Sequence, residues 1–454
     1  MIKIHPRALA LIAVLSFVAT PALAAAGAKG AVERVPEQVD AILDDVLAHY
    51  RWLHQHPELS NEEEQTAAYM AERLRELGLE VHEGIGKHGV VGILRGEAGE
   101  RGPVVLYRAD MDGLPITENT GLPYASRHEG VMHGCGHDVH MATALGTLRL
   151  LAKARDRWSG TVMFVAQPAE EIGQGARQMI ADERFLRIVA DEGTPTAALA
   201  LHADAGRPAG GVGIGAGFVN ANVDSVDIRV RGAGGHGARP EEAIDPVVIG
   251  ADLVTTLQTI VSRRVAAGDP AVVTVGRFSA GTTHNIIPPD AELLLTVRSY
   301  SDETRELVLA EIERVARGVA QAHGAPEPSV ELREGSIPAA YNDPELVRRL
   351  QRVFARALGD DRVGTQEPSL GGEDFGVFPR ALDIPGVQFR LGTVDPERYA
   401  ESGGEGLPGL HSDEYAPAAE PSLRTGVLVM TSALYDVLGE REPWWVERVF
   451  GDLL

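Results

Sequence analysis

Short apolar runs at residues 104–107, 161–166 and 197–201 are each bounded by turn signals, and a helical pattern over 140–154 separates the first two. Runs this short and this apolar are buried on both faces. Strands alternating with helices predict a largely parallel sheet covered on both sides. Sheets of that kind gather ligands at the carboxyl ends of their strands. Each run ends at or just before a polar cluster, so one pattern predicts both the layers and the place where chemistry collects. Upstream, Ser60-Asn61-Glu62-Glu63 reads as a capping box that opens an amphipathic helix stopping at Gly78.

From Val219 the period changes. Val226, Ile228 and Val230 alternate with Asp227, Arg229 and Arg231, as in a strand buried on one face. A helical pattern over 246–267, strand-like stretches at 271–278 and 291–300, a helix over 303–323 and a strand at 329–334 complete a βαββαβ order. Helices return at 344–358 and 421–438, with a strand at 386–391. The expected architecture is α/β, with a ferredoxin-like unit at 219–335 inserted into a larger domain formed by 39–218 and 336–440.

Residues 1–24 read as a secretory signal. Lys3 and Arg7 precede an apolar run at 8–19, and Ala22-Leu23-Ala24 offers a small-x-small cleavage pattern. The run is shorter than the roughly 20 apolar residues that span a bilayer. The expectation is therefore an exported protein, periplasmic or secreted, with no stable membrane anchor once the signal is cleaved. Cleavage leaves 40 basic against 65 acidic residues, a charge of −25. That balance argues against a nucleic-acid partner, although a cleft can differ in sign from the surface around it. The single cysteine, Cys135, excludes an intrachain disulfide and leaves three roles: core filler, reactive thiol or metal ligand.

Polar clusters follow the predicted strands. Asp110-Met111-Asp112 comes first. Gly134-Cys135-Gly136-His137-Asp138 then opens a helix, with glycines that let backbone approach a bound ion. In Gln167-Pro168-Ala169-Glu170-Glu171, neighbouring carboxylates in extended chain would point to opposite sides and take different tasks. His202 ends the 197–201 run, and His411 lies in Gly409-Leu410-His411-Ser412-Asp413. Each cluster alone has an ordinary reading as solvated surface or structural residue. Together, Cys135, His137, Glu171, His202 and His411 form a mixed soft and hard donor set that suits Zn²⁺ or another transition ion better than Ca²⁺ or Mg²⁺. A nucleophilic Cys135 would leave the glutamate pair without a role. Gly232-Ala233-Gly234-Gly235-His236-Gly237 has dinucleotide-loop spacing, but Pro240 and Pro246 prevent a helix from opening there at once.

Five ordered motifs carry a resemblance. They are Tyr107-Arg108-Ala109-Asp110-Met111-Asp112-Gly113-Leu114-Pro115, Gly134-Cys135-Gly136-His137-Asp138, Gln167-Pro168-Ala169-Glu170-Glu171, Gly234-Gly235-His236 and His284-Asn285-Ile286-Ile287-Pro288. From about Val39 to Gly439 the chain resembles the metal-dependent amidohydrolases that include hippurate hydrolases, auxin-conjugate hydrolases and N-acyl-amino-acid amidohydrolases. The resemblance implies a zinc-aminopeptidase-like catalytic domain with an inserted lid and dimerisation domain, and hence a homodimer or higher homo-oligomer. It also implies two divalent ions per subunit (Zn²⁺, Mn²⁺, Co²⁺ or Ni²⁺) on Cys135, His137, Glu171, His202 and His411. Glu170 would be the general base, and Asp112 would orient a ligand. His236 would reach the reacting carbonyl from the lid, in cis or across a dimer, while Asn285 and Arg298 hold the substrate end. The implied reaction is cleavage of an N-acyl amino acid or similar amide conjugate to release the amino acid. A dipeptidase or carboxypeptidase with the same centre is the alternative reaction, and a periplasmic metal- or solute-binding protein is the non-catalytic one. Val139 after His137-Asp138, and Ala203-Asp204 after His202, depart from the family's usual residues without removing a ligand.

Overall fold

The computed structural model describes residues 35–99 and 102–439. The signal reading at 1–24 lies outside them. Among the described residues no helix is long and apolar enough to cross a membrane.

An eight-stranded sheet forms the larger layer. Its strands run in the order Glu80–Ile85, Gly89–Arg95, Thr161–Gln167, Val104–Asp110, Ala197–Pro208, Gly386–Val394, Val212–Ile214 and Val363–Thr365. The middle four are mutually parallel, and the strands flanking them join antiparallel. Both faces are covered, which explains the unbroken apolar runs. Val105 and Tyr107 pack into one cluster with helices Leu43–Gln55, His137–Lys153 and Ala419–Gly439. Val104 and Leu106 point the other way, into a cluster with Met179, Phe185 and Phe378. This is the period-two alternation of a strand buried on both sides.

The chain leaves this sheet through Gly217–Asn220, which pairs with the returning Ala340–Asn342. Between them lies an antiparallel sheet ordered Ala271–Ala280, Asp290–Ser299, Asn222–Arg231 and Ser329–Leu332. Helices Pro246–Arg263 and Asp302–Ala322 pack on it around Ile228, Leu253, Leu293 and Ile312. Asp245 and Ser301 cap these helices, accepting hydrogen bonds from the Val247 and Thr304 backbone N–H groups. The strand order is that of the ferredoxin-like unit.

Two local readings are corrected. Ser60-Asn61-Glu62-Glu63 is not a capping box: the helix begins at Glu64, and its N-cap Glu63 makes no side-chain cap hydrogen bond. Both side chains are drawn to groups elsewhere in the fold. The helix expected from residue 140 begins at His137, because Gly136 adopts a left-handed φ of +83° and turns the chain directly into the first helical turn.

Candidate metal centre

The carboxyl ends of the parallel strands deliver the site. Asp112 lies two residues beyond Val104–Asp110, Glu170 and Glu171 follow Thr161–Gln167, and His202 lies within Ala197–Pro208. Cys135 and His137 flank the helix start at Gly136. His411 comes from the loop before Ala419–Gly439, with its N–H donating to Gly134 O at 2.8 Å.

The five expected ligand residues converge. Cys135 Sγ lies 3.6 Å from His202 Nε2. His202 Nδ1 is turned to the Ala203 carbonyl at 2.7 Å, which leaves Nε2 to face the thiol. His411 Nε2 is 3.5 Å from Glu171 Oε2. His137 Nε2 is 3.8 Å from Glu170 Oε2 and 3.8 Å from Glu171 Oε1. Ligating atoms of Cys135, His137 and His202 all fall within 4.8 Å of one another, as do those of Cys135, Glu171 and His411, and those of His137, Glu170 and Glu171. The two glutamates therefore stand side by side on a turn. The opposite-sided extended arrangement is not formed, because Ala169 holds a left-handed φ of +50°.

The donor set fits a divalent pair. His137 Nε2 and Glu171 Oε1 are buried without a hydrogen-bond partner among the described residues. Buried polar atoms left unpaired are costly, and these two point into the space the other ligand-type atoms share. A thiol, three imidazoles and a carboxylate match the coordination preferences of transition ions. Asp110, His137 and His140 also cluster, but His140 is fully used. Its Nδ1 meets Asp110 Oδ1 at 2.5 Å, and its Nε2 accepts the Ala203 N–H at 2.8 Å.

The ligand that Asp112 reaches is His137, chiefly through the backbone. Its Nδ1 donates to the backbone carbonyl of Asp112 at 2.8 Å, while the Asp112 carboxylate Oδ1 stands farther off at 3.3 Å. That bond puts the proton on Nδ1 and leaves the Nε2 lone pair free, the tautomer a ligand needs. The other carboxylate oxygen, Asp112 Oδ2, accepts from Ser60 Oγ at 2.6 Å and from the Glu171 N–H at 3.0 Å.

Beneath the cluster runs a buried ionic network. Arg108 Nη1 donates to Asp110 Oδ2 at 2.6 Å, Nη2 to Glu373 Oε1 at 2.8 Å, and Nε to Gln167 Oε1 at 2.8 Å. Burial works to raise the Asp110 carboxyl, but Arg108 and then His137 and His140 hold it well below the usual range. Glu170 moves the other way: burial, then the charge of Glu373, pushes it well above. Glu373 and Asp374 place carboxylate oxygens within 4.8 Å of Glu170. Sequence reasoning missed Arg108, Glu373, Asp374, Ser60, Glu63 and His140. Two signals were there to be read. Arg108 directly follows a buried-type apolar run, where a charge demands partners, and Glu373-Asp374 follows the pair Gly371-Gly372.

The insert's candidates lie apart. His236 and Asn285 are neighbours: His236 pairs in register with Ile286, and the Gly237 N–H donates to Asn285 O at 2.9 Å. Among the described residues no hydrogen bond or ion pair joins either to the five-residue cluster. Arg298 lies on Asp290–Ser299, in register with Val272 and Val223; its half-buried side chain makes no hydrogen bond or ion pair among the described residues, with the Asp224 carboxylate as a nearby charge. A cleft of about 1100 Å³, lined in part by Phe218, Tyr300, Tyr341 and Arg380, opens at the amino ends of the strands, where Pro103 and Thr196 also line it. It is therefore separate from the cluster.

The family model described as peptidase family M20/M25/M40 matches residues 106–435. An N-acetylcysteine deacetylase of Bacillus subtilis is 38% identical over 351 residues, spanning 77% of this chain and 88% of that protein. Thermostable carboxypeptidase 1 of Saccharolobus solfataricus is 36% identical over 370 residues, 81% of this chain and 90% of that one. Among solved structures, the Bacillus subtilis YXEP protein, described as a dinuclear metal-binding peptidase of the M20 family, matches with a TM-score of 0.71. It is 31% identical, with coverage of 88% of this chain and 99% of that one. With the family model spanning most of its length and relatives of this identity covering three quarters or more, the chain belongs to peptidase family M20/M25/M40.

Proposed function

We propose that the protein is a two-metal amidohydrolase that cleaves N-acyl amino acids or similar amide conjugates and releases the free amino acid. The observation that carries this reading is the convergence of Cys135, His137, Glu171, His202 and His411 beside Glu170, a carboxylate that a simple metal binder has no use for. The name of the deacetylase relative points the same way, while that of the carboxypeptidase relative fits the alternative amide cleavage by the same centre.

The five residues would hold two divalent ions (Zn²⁺, Mn²⁺, Co²⁺ or Ni²⁺). When bound, the ions supply Lewis acidity, drawing the pKa of water from about 16 towards 7 and polarising the scissile carbonyl. Glu170 takes the proton from the attacking water on a carboxylate oxygen and delivers it to the departing amide nitrogen. Asp112 holds His137 through its carbonyl oxygen, so that Nε2 keeps its lone pair. His236 accepts the Ala238 N–H on Nδ1 at 3.0 Å, so its Nε2 is free to donate to the oxygen that gains charge. Asn285 and Arg298 bind the carboxylate end of the substrate, where an unpaired guanidinium suits a carboxylate. Among the described residues no hydrogen bond or ion pair links His236 or Asn285 to the cluster, which favours a lid that closes or a second copy that completes the site. A homo-oligomer assembled through the insert is part of the proposal, as is export directed by residues 1–24.

The test is Glu170→Gln. Hydrolysis of an acyl-amino-acid and dipeptide panel should fall by about 10²–10⁴-fold, with metal content near two per chain. Activity near wild type would remove Glu170 as the base. A zinc-loaded wild type that hydrolyses no member of the panel would leave a binding protein. Ranking substrates by kcat/KM separates amidohydrolase from dipeptidase.

A further inference from the structure

Residues 58–63 are laid against both acid-bearing loops of the centre. Leu59 forms a parallel bridge with Gly113, and the Gly113 N–H donates to Glu58 O at 2.7 Å. That register places Ser60 Oγ 2.6 Å from Asp112 Oδ2. It also turns Glu63 away from its own helix, so that Oε1 accepts the Ala169 N–H at 2.7 Å. Glu63 is 0% exposed, and its Oε2 has no partner among the described residues. An apolar side chain would occupy that position at lower desolvation cost.

Both bonds act on the geometry of the proposed centre. Asp112 Oδ2 takes two donors, Ser60 Oγ and the Glu171 N–H, which sets the rotation of the carboxylate and holds Oδ1, itself without a hydrogen-bond partner among the described residues, 3.3 Å from His137 Nδ1 as a negative charge beside the ring. Ala169 holds a φ of +50°, a conformation that costs a non-glycine residue energy and persists only where its surroundings impose it. The bond from Glu63 falls on the N–H of that residue, immediately before Glu170 and Glu171.

We propose that Ser60 and Glu63 are positioning residues: Ser60 sets the rotation of Asp112 against His137, and Glu63 pins the strained turn that presents Glu170 and Glu171. The inference rests on the function proposed above but is measured in part without it. In Glu63→Leu the acceptor is gone. Amide exchange of Ala169 in metal-free protein should quicken by about tenfold, the loss of one ordinary hydrogen bond. In the zinc-loaded enzyme kcat should fall by about tenfold or more, with KM within about threefold of wild type. Glu63→Gln keeps an oxygen facing the N–H and should restore both quantities to within about threefold of wild type. Ser60→Ala should lower kcat in the same way with metal content unchanged, and Ser60→Thr, which keeps the hydroxyl, should rescue it. Should Glu63→Leu fail to fold, the serine pair decides. Wild-type exchange and kcat in Glu63→Leu, wild-type kcat in Ser60→Ala, or a Glu63→Gln as impaired as Glu63→Leu would overturn the proposal. A wild type that cleaves no amide refutes the functional reading alone, since the exchange rates still judge the turn.

Discussion

Replacing Arg108 with methionine tests the ionic floor of the centre. Arg108 is 1% exposed, and its guanidinium meets Gln167, Asp110 and Glu373 at 2.6–2.8 Å and Asp374 at 3.2 Å. Methionine keeps much of the stem and deletes the charge, leaving three buried acids without their cation. Removing one partner of a buried ion pair costs about 3–5 kcal/mol. Asp374, pushed up to about 7 by burial, can carry a proton near neutrality, which places the cost towards the lower end. For a cooperative unit of roughly 280 residues outside the insert, the melting entropy is about 0.6 kcal/mol/K, so the melting temperature should drop by about 5–8 °C. Calorimetry on metal-free protein keeps metal binding out of the comparison. The pH dependence has a definite sign. Asp110 is held below its usual range, so its share of the stability is present above about pH 4 and is lost as pH falls through the lower folded value. The gap between wild type and variant should narrow on acidification. Arg108→Lys, which keeps charge without the planar fork, should fall between the two. A variant melting within about 1 °C of wild type at pH 7 would show that the network does not stabilise the fold.

Two further outcomes follow from local geometry. Gly136→Ala meets a φ of +83° and places a Cβ 2.7 Å from Ala203 Cβ. The left-handed conformation costs about 1–2 kcal/mol and the overpacking about 1–3 kcal/mol. Zinc affinity, read by chelator competition, should weaken, and Ala203→Gly in the same chain should recover only the overpacking share. An unchanged affinity would mean that the helix start does not place Cys135 and His137. His54 supplies a pH effect: burial alone would lower its pKa, but hydrogen bonds to Asp138 and Glu118 raise it to about 9. A raised folded pKa gives stability that is complete below about pH 6.5 and lost as pH climbs through 9. Wild type should therefore lose melting temperature across that window and His54→Gln should lose less; parallel curves would refute the pairing.

Much of the fold was legible because burial on both faces leaves a plain mark. The apolar residues of the runs at 104–107 and 162–166 alternate between two clusters, and their shortness and flanking turn signals set them apart from a buried helix. Strand ends were not legible. Val104–Asp110 continues through Arg108 and Asp110 because Arg108 finds Glu373, 265 positions along the chain. No local pattern encodes such a partner. Gly89–Arg95 was missed for a related reason. Its Gly89 is required because a Cβ there would lie 2.3 Å from Ile85 O across the hairpin turn and 2.7 Å from Met179 Cε, and the second of these, a tertiary contact, reads in sequence only as a break.

The site divides along the same line. Cysteine, histidine and paired glutamates at strand ends and a helix start are residue types with few competing uses at those places in this architecture, so chemistry nominated Cys135, His137, Glu171, His202 and His411, and the resemblance then gave Glu170 the role of base. Ser60 and Glu63 have a competing use, since serine followed three residues later by glutamate is the ordinary signature of a helix start. Here local and tertiary demands conflict. The helix begins at Glu64 without a side-chain cap, and the two side chains serve Asp112 and Ala169 instead. A forgone cap costs the helix about 1 kcal/mol. The fold accepts that cost together with a buried, cation-free carboxyl at Glu63, which burial and then the charge of Asp112 push up to about 7. A sequence feature that violates its own local rule at the edge of a ligand cluster is therefore a pointer to function, and it becomes readable only once the partners are seen.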